Sequence, residues 1–126
     1  MASSPGHRKW PDHYVIERYP HKRVVVTFDG EKIANSTSAI KVIEDGHPPR
    51  FYLPREDVNM DVLERSRTTT QCPFKGTAHY YSIKVGNHRA DDAVWTYEDP
   101  YEEHQDLKGM LAFYDDKVDQ LKVNVV

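Results

Sequence analysis

The sequence predicts a mainly β domain built from short antiparallel strands. Short runs rich in β-branched and aromatic residues, such as Val24–Phe28, alternate with Gly, Pro and Asp turn signals. Apolar side chains also alternate along the chain, as in Tyr80–Val85, where Tyr81, Ile83 and Val85 share one face. Turn signals roughly every eight to twelve residues indicate about eight strands in a sandwich or an open barrel.

The 126 residues suit one domain. We expect a single β-rich domain over residues 12–126. Residues 1–11 are small, polar and proline-containing, and are predicted to form a loose, flexible tail.

In the first half of the domain, runs of strand-forming residues each end at a turn signal. The predicted strands are Val24–Phe28, Glu31–Ser36, Ala39–Glu44 and Phe51–Leu53. Asp29 and Gly30 tolerate positive φ, so they are expected to join the first two strands as a hairpin. Pro54 ends the fourth strand because proline has no backbone N–H to donate.

The second half contains two longer strands, two helical turns and a final hairpin. The predicted strands are Tyr80–Val85, Arg89–Tyr97, Met110–Tyr114 and Val118–Val125, and the predicted helical turns are Asn59–Arg65 and Glu102–Lys108. Asp115 and Asp116 are expected to form the turn that pairs the last two strands.

Charge and composition exclude several classes of protein. The formal net charge of −3 argues against a nucleic-acid-binding module, which needs an excess of basic residues. No apolar run approaches the ~18 residues of a membrane span, and no apolar segment typical of a signal peptide follows Met1. We therefore expect a cytoplasmic protein with no nucleic-acid or membrane partner.

Metal ligands are not indicated by the sequence. The single cysteine, Cys72, excludes an internal disulfide and a cysteine-rich zinc site. The seven histidines lack the local spacing that brings metal ligands together, and they stand at positions 7, 13, 21, 47, 79, 88 and 104. We predict no metal site and identify no cofactor.

The segment around Cys72 is the most informative for chemistry. Pro73 holds Cys72 extended, Gly76 permits a tight turn, and Lys75 brings a cation near the thiol. A nearby ammonium can lower the pKa of a thiol and make it a nucleophile. The alternative is that Cys72 is a small buried apolar residue, which is common for a lone cysteine.

Two further groups of residues suit a binding site. Arg50 and Lys75 could hold a phosphate or carboxylate, with Glu44 or Asp57 holding a metal or a hydroxyl. Trp95 and Tyr97 share one strand face, where they form either core or a platform for a base or a sugar. The chain lacks the glycine patterns of the phosphate-binding loops.

Five short motifs, taken in their order along the chain, carry a resemblance to a known family. They are Ile33–Ser36, Pro48–Val58, Cys72–Gly76, Ala93–Tyr101 and Gly109–Tyr114. From about His13 to Asp119, the chain resembles domain-of-unknown-function family 427, whose members are catalogued as nucleotidyltransferase-like. The resemblance implies a β-tent fold, in which two antiparallel sheets meet at an angle. Zinc-binding tent domains use paired Cys-x-x-Cys motifs, so their metal site does not carry over to this chain.

The leading functional prediction is a polar and aromatic cleft that binds a small anionic or nucleotide-like ligand. Its predicted lining is Arg50, Tyr52, Cys72, Lys75, Tyr80, Trp95 and Tyr97. Arg50 and Lys75 would bind the anion, the Tyr52 and Tyr80 phenols would donate hydrogen bonds, and Trp95 with Tyr97 would form an apolar wall.

Two alternatives stay open. The family label implies a nucleotidyltransferase-like enzyme, which would need Mg²⁺ held by carboxylates chosen from Glu44, Asp57, Glu98 and Asp99. The other alternative is a protein-interaction module without catalysis, in which the exposed edge of a sheet accepts a partner strand.

Overall fold

The protein is mainly β, as the sequence predicts, with two antiparallel sheets in a computed structural model that describes residues 2–124. Over these residues the strands β1 to β10 are Val15–Arg18, Arg23–Phe28, Glu31–Ser36, Ile40–Glu44, Arg50–Leu53, Leu63–Cys72, Gly76–Val85, His88–Tyr97, Leu111–Phe113 and Gln120–Asn124. The helical elements are a short helix α1, Pro5–Lys9, and the 3₁₀ segments Arg55–Asp57, Met60–Val62, Glu102–Leu107 and Asp115–Lys117. No helix in this part of the chain has the length and apolarity needed to cross a bilayer.

The larger sheet has seven strands in the order β1-β4-β5-β9-β8-β7-β6, and the smaller has three in the order β10-β2-β3. The pairs β2-β3, β4-β5, β6-β7 and β7-β8 are hairpins, so half of the neighbouring strands in the two sheets are also consecutive in the chain. The short β9 lies between β5 and β8 at the centre of the larger sheet. The β7 and β8 strands have ten residues each and form the longest central pair.

The two faces of the larger sheet have different coverings. Side chains on one face, such as Leu53 and Val94, pack against Val24 and Val26 of the smaller sheet. Their neighbours in sequence, Tyr52 and Trp95, belong to a second buried cluster on the opposite face. Leu107 and Met110 help to bury that second cluster, so the larger sheet has a core on both sides.

The predicted final hairpin is wrong. β9 pairs with β5 and β8 in the larger sheet, whereas β10 pairs with β2 in the smaller one. The 3₁₀ segment Asp115–Lys117 lies between them, so the two aspartates carry the chain from one sheet to the other. Val125, the end of the predicted last strand, lies outside the described residues.

The N-terminal segment, which the sequence predicts as a loose tail, contains the short helix α1. Ser4 caps α1 by accepting a hydrogen bond from the His7 backbone N–H, and Pro5 stands at the start of the helix. The Ser4 hydroxyl donates to the Pro73 carbonyl at 2.7 Å, and the Gly6 N–H donates to the same oxygen at 2.8 Å. The segment is held by polar contacts rather than by apolar burial, which explains why its composition resembles that of a tail. Met1 lies outside the described residues.

Candidate functional site

A cleft of about 370 Å³ opens on the face of the larger sheet that is opposite the smaller sheet. Strands β4, β5, β7 and β8 and the turn between β6 and β7 supply most of its wall. Its lining is His13, Val42, Glu44, His47, Pro48, Arg50, Tyr52, Gln71, Cys72, Pro73, Phe74, Lys75, Tyr80, Trp95, Tyr97 and Tyr114. Such a volume lies within the range of small-molecule sites.

All seven residues that the sequence analysis selected line this cleft. Alternation along the strands explains part of this result, because Arg50 and Tyr52 share one face of β5, as Trp95 and Tyr97 do on β8. The cross-strand pairing of Tyr80 with Trp95 brings the β7 phenol to the same face. Binding of a ligand by these residues stays a prediction.

A buried ion pair lies at the base of the cleft. The Lys75 ammonium donates to Oε1 of Glu44, and the two side chains are only 6% and 12% exposed. Glu44 ends β4, whereas Lys75 lies in the turn between β6 and β7, so the pair joins distant parts of the chain. Because the Glu44 carboxylate forms an ion pair with the Lys75 ammonium, Lys75 is less available to an anionic ligand than the sequence predicts.

The second carboxylate oxygen of Glu44 faces two histidines. His13 Nε2 lies 3.0 Å from Oε2, and His47 Nε2 lies 3.8 Å from the same oxygen. Burial alone would raise the pKa of Glu44, but the hydrogen bond and charge of Lys75, helped by His13, hold its pKa below its ordinary value. Glu44 is therefore ionised at neutral pH and presents an acceptor at the cleft.

The Cys72 thiol is close to the Lys75 ammonium, as its position in the sequence suggests. The Sγ–Nζ distance is 3.9 Å, which is at the outer limit for a hydrogen bond to sulfur, and the ammonium has a much closer partner in Glu44. Cys72 is partly exposed, and it packs against the second buried cluster. The structure thus combines features of both interpretations of this residue, a packed side chain and a thiol at a cleft.

Aromatic side chains form the wall behind these charges. The Trp95 indole N–H donates to the Tyr52 hydroxyl at 3.0 Å, and the rings of Tyr52 and Tyr97 stack at 6.4 Å. Burial is the main cause that raises the pKa of both Tyr52 and Tyr97, so both phenols are neutral throughout the physiological range. Trp95 and Tyr97 are themselves buried, and they support the cleft more than they expose faces to it.

Arg50 lies against the aromatic wall of the cleft. Its guanidinium carbon lies 5.6 Å from the Trp95 ring centroid and 5.3 Å from that of Tyr114, within the range of cation–π contacts. Its nearest carboxylate is Asp115 at 3.6 Å, whose side chain is 64% exposed. Arg50 is therefore held in place by rings but only weakly neutralised.

Two half-buried phenols complete the wall. Tyr80 shares a 3.0 Å hydrogen bond with Thr70 Oγ1. Burial, followed by a hydrogen bond that the Tyr114 phenol donates to Tyr80, raises the pKa of Tyr114 to about 12. Tyr114 therefore keeps its proton at neutral pH, and both tyrosines line the cleft.

The four carboxylates considered for Mg²⁺ do not come together. Glu44 lines the cleft, but Asp57 accepts a hydrogen bond from Ser36 at 2.7 Å, and Glu98 pairs with Arg65 at 2.7 Å. Neither Asp57, Glu98 nor Asp99 lines the cleft. Among residues 2–124, no group of three or more His, Cys, Asp or Glu side chains is arranged to hold a metal ion.

The predicted lining leaves out nine residues that line the cleft, among them His13, His47, Phe74 and Tyr114. Phe74 and Tyr114 lie inside motifs that the sequence analysis quoted, so membership of those motifs was an available signal. His13 precedes β1 and reaches Glu44 only because β1 pairs with β4. The Phe74 ring stacks on that of His13 at 4.0 Å, which fixes both at one side of the cleft.

The fold and the cleft define a small mainly β domain with two antiparallel sheets and a polar, aromatic-walled cavity on one face. The chain belongs to the family described as domain of unknown function DUF427, whose family model, labelled NTP_transf_9, matches residues 16–124. No curated protein matches the chain.

Proposed function

We propose that the cleft binds a small anionic ligand with a ring system, of the nucleotide-like class. The observation that carries the proposal is the position of Arg50, which lies against Trp95 and Tyr114 and has, among residues 2–124, only the exposed Asp115 as an acidic partner. A phosphate or carboxylate accepts paired hydrogen bonds from a guanidinium held in this way.

The rest of the cleft supports a ligand that carries further polar groups besides the anion. Ionised Glu44 offers an acceptor for a ligand N–H or O–H at the end where His13 and His47 also lie. Tyr80 and Tyr114 are half-buried phenols that can stack on a ring or donate to it. Lys75 neutralises Glu44 and so serves the site as a structural cation.

A thermal-shift panel tests the proposal. It compares nucleoside mono- and triphosphates, inorganic phosphate and simple carboxylates for the wild type, Arg50→Ala and Arg18→Ala. Arg18 is a matched control because it is exposed on β1, outside the cleft lining, and its guanidinium donates to the carbonyl of Glu17. A ligand at ~100 times its dissociation constant stabilises the protein by ~2.7 kcal/mol, a shift of several degrees.

We expect a ligand-induced shift in the wild type and in Arg18→Ala, and its loss in Arg50→Ala. A shift that Arg50→Ala retains would refute the role of Arg50. A flat panel across all the anionic compounds would refute the proposed ligand class.

The family label favours a second candidate, a Mg²⁺-dependent nucleotidyltransferase-like enzyme. In this candidate Glu44 is the carboxylate of the cleft, and the ligand's own phosphates must supply the other oxygens to the metal, since Asp57, Glu98 and Asp99 lie elsewhere. It predicts a triphosphate shift that requires Mg²⁺ and is lost in Glu44→Gln. Triphosphate shifts that are equal with Mg²⁺ and with EDTA would contradict it.

Exposed aromatic residues favour the interaction module as a third candidate. Trp10, Tyr14 and Tyr19 are the large apolar side chains that lie exposed among residues 2–124, and Tyr14 and Tyr19 flank the edge strand β1. Light scattering of the wild type beside Trp10→Ala/Tyr14→Ser tests whether this edge mediates self-association. A concentration-independent monomeric mass for the wild type would contradict association with a second copy.

A further inference from the structure

Three side chains outside the cleft link the N-terminal segment to the rest of the domain. Glu17 of β1 accepts a hydrogen bond from His104 Nδ1 at 2.7 Å, and His104 Nε2 lies 2.9 Å from His7 Nε2. The His104 side chain is only 4% exposed, and His7 lies in α1. The contact therefore joins three separate elements through one buried imidazole.

The contact between the two imidazoles permits only one proton between them. At 2.9 Å, one Nε2 atom must donate its hydrogen and the other must accept it through a lone pair. If both rings are protonated, both Nε2 atoms carry hydrogens, the hydrogen bond is impossible, and two positive charges face each other. The contact thus holds while at least one of the two rings is neutral.

Charged groups from several elements surround the pair. Glu17 faces His104 from β1, and Glu103 faces both rings from the segment that contains His104. His13 and Lys75 face His7 from the side of the cleft. Burial first, and then His104, lowers the pKa of His7, and the smaller opposing effect of Glu103 does not reverse this.

The same N-terminal segment holds one wall of the cleft. Ser4 and Gly6 both donate to the Pro73 carbonyl, and the His7 ring meets the edge of Phe74 at 5.0 Å. Pro73 and Phe74 in turn line the cleft. A displacement of α1 would remove these contacts from the back of that wall.

We propose that residues 2–10 form a proton-controlled latch, which is docked while His7 and His104 share one proton and is released when both rings are protonated. Release frees the Pro73–Phe74 wall of the cleft. The lowered pKa of His7 means that the His7 ring takes up a proton less readily in the docked state than in the released state. Docking is therefore fully favoured above the ordinary histidine pKa of 6.5 and weakens as the pH falls below it.

Hydrogen exchange on the full chain tests the latch without any ligand, so its result is independent of the proposed binding function. The reporters are the Gly6 amide, which donates to Pro73, and the Trp10 amide, which donates to the Gly6 carbonyl. We expect their protection factors, corrected for intrinsic exchange, to fall at least ~10-fold between pH 7.5 and 5.5. The Val26 amide in the buried β2 strand should keep its protection, which separates release from global unfolding.

Two variants and one spectroscopic measurement complete the test. His7→Gln takes up no proton and should lose the pH effect, whereas His88→Gln changes an exposed histidine outside the latch and should retain it. NMR titration of the His7 ring should give a midpoint that matches the loss of protection. The proposal is overturned if the His7 ring titrates while the protection of Gly6 and Trp10 stays constant, or if His7→Gln keeps the wild-type pH effect.

Discussion

Glu44→Gln should destabilise the protein much more than the same change at a surface ion pair. The substitution keeps the shape of the side chain and an oxygen that can accept from Lys75, but it removes the negative charge. Lys75 is then a buried ammonium, 6% exposed, with no ionic partner. An unpaired buried charge is expensive because little water reaches it.

The expected loss follows from the burial of the pair. Breaking a buried ion pair by removing one partner costs about 3–5 kcal/mol. The retained amide oxygen and the residual solvent exposure of the pair reduce this, so we expect about 2–3 kcal/mol for Glu44→Gln. Glu64→Gln is the matched control, because Glu64 and Arg89 pair at 3.2 Å with side chains 59% and 44% exposed. Exposed pairs contribute less than about 1 kcal/mol.

Urea unfolding followed by tryptophan fluorescence measures both values, since the buried Trp95 lies beside the cleft. With a slope of about 2 kcal/mol per molar, the midpoint for Glu44→Gln should fall by roughly 1–1.5 M. Glu44→Gln/Lys75→Met should regain much of the loss, because it leaves no unpaired charge. Since the folded-state pKa of Glu44 is lowered, its contribution is complete above its ordinary value of 4.5 and is lost as the pH falls through the lowered value. Equal losses for Glu44→Gln and Glu64→Gln would refute this account.

Three further predictions follow from single contacts. Tyr52→Phe removes the acceptor of the buried Trp95 N–H and should cost about 1–2 kcal/mol in urea unfolding, and a loss no larger than that of Tyr19→Phe at the surface would contradict it. Thr96→Val should stabilise the protein by up to about 1 kcal/mol, because the Thr96 hydroxyl is buried without a hydrogen-bond partner among the described residues. A urea midpoint below that of the wild type would count against this. Gly6→Ala would place a Cβ 2.6 Å from the Pro73 oxygen. It should therefore abolish the protection of the Trp10 amide from hydrogen exchange and leave that of the Val26 amide unchanged. Unchanged exchange at Trp10 would show that α1 docks differently.

The sequence predicts the strands that have one buried face better than those that do not. Glu31–Ser36 is predicted with its observed bounds, and Arg89–Tyr97 differs from β8 by one residue. Leu63–Cys72 is missed as a strand, because β6 lies at the edge of the larger sheet and is exposed along most of its length. Without a buried face there is no alternation to detect. The helical turn predicted over Asn59–Arg65 is shorter in the structure, where it covers Met60–Val62, because the undetected strand β6 already begins at Leu63.

The residues of the candidate site also differ in how well the sequence predicts that they lie together. Residues that share a strand face, such as Trp95 and Tyr97, can be grouped from their spacing alone. The pairing of Lys75 with Glu44 cannot, because 31 positions separate them and only the strand order of the larger sheet brings them together. The structure pairs Lys75 with a buried carboxylate, and the binding of an anion by Lys75 stays a prediction.

The cleft exists because the two faces of the larger sheet have unequal covers. The smaller sheet covers one face with Val24, Val26 and Ile33, and leaves a continuous apolar core. The opposite face is covered only in part, by Leu107 and Met110. Polar side chains on the uncovered part of this face must form hydrogen bonds or ion pairs with each other, as Glu44 does with Lys75. The N-terminal segment adjoins this uncovered part at Pro73, so a small change in its docking alters a face that already lacks a second layer.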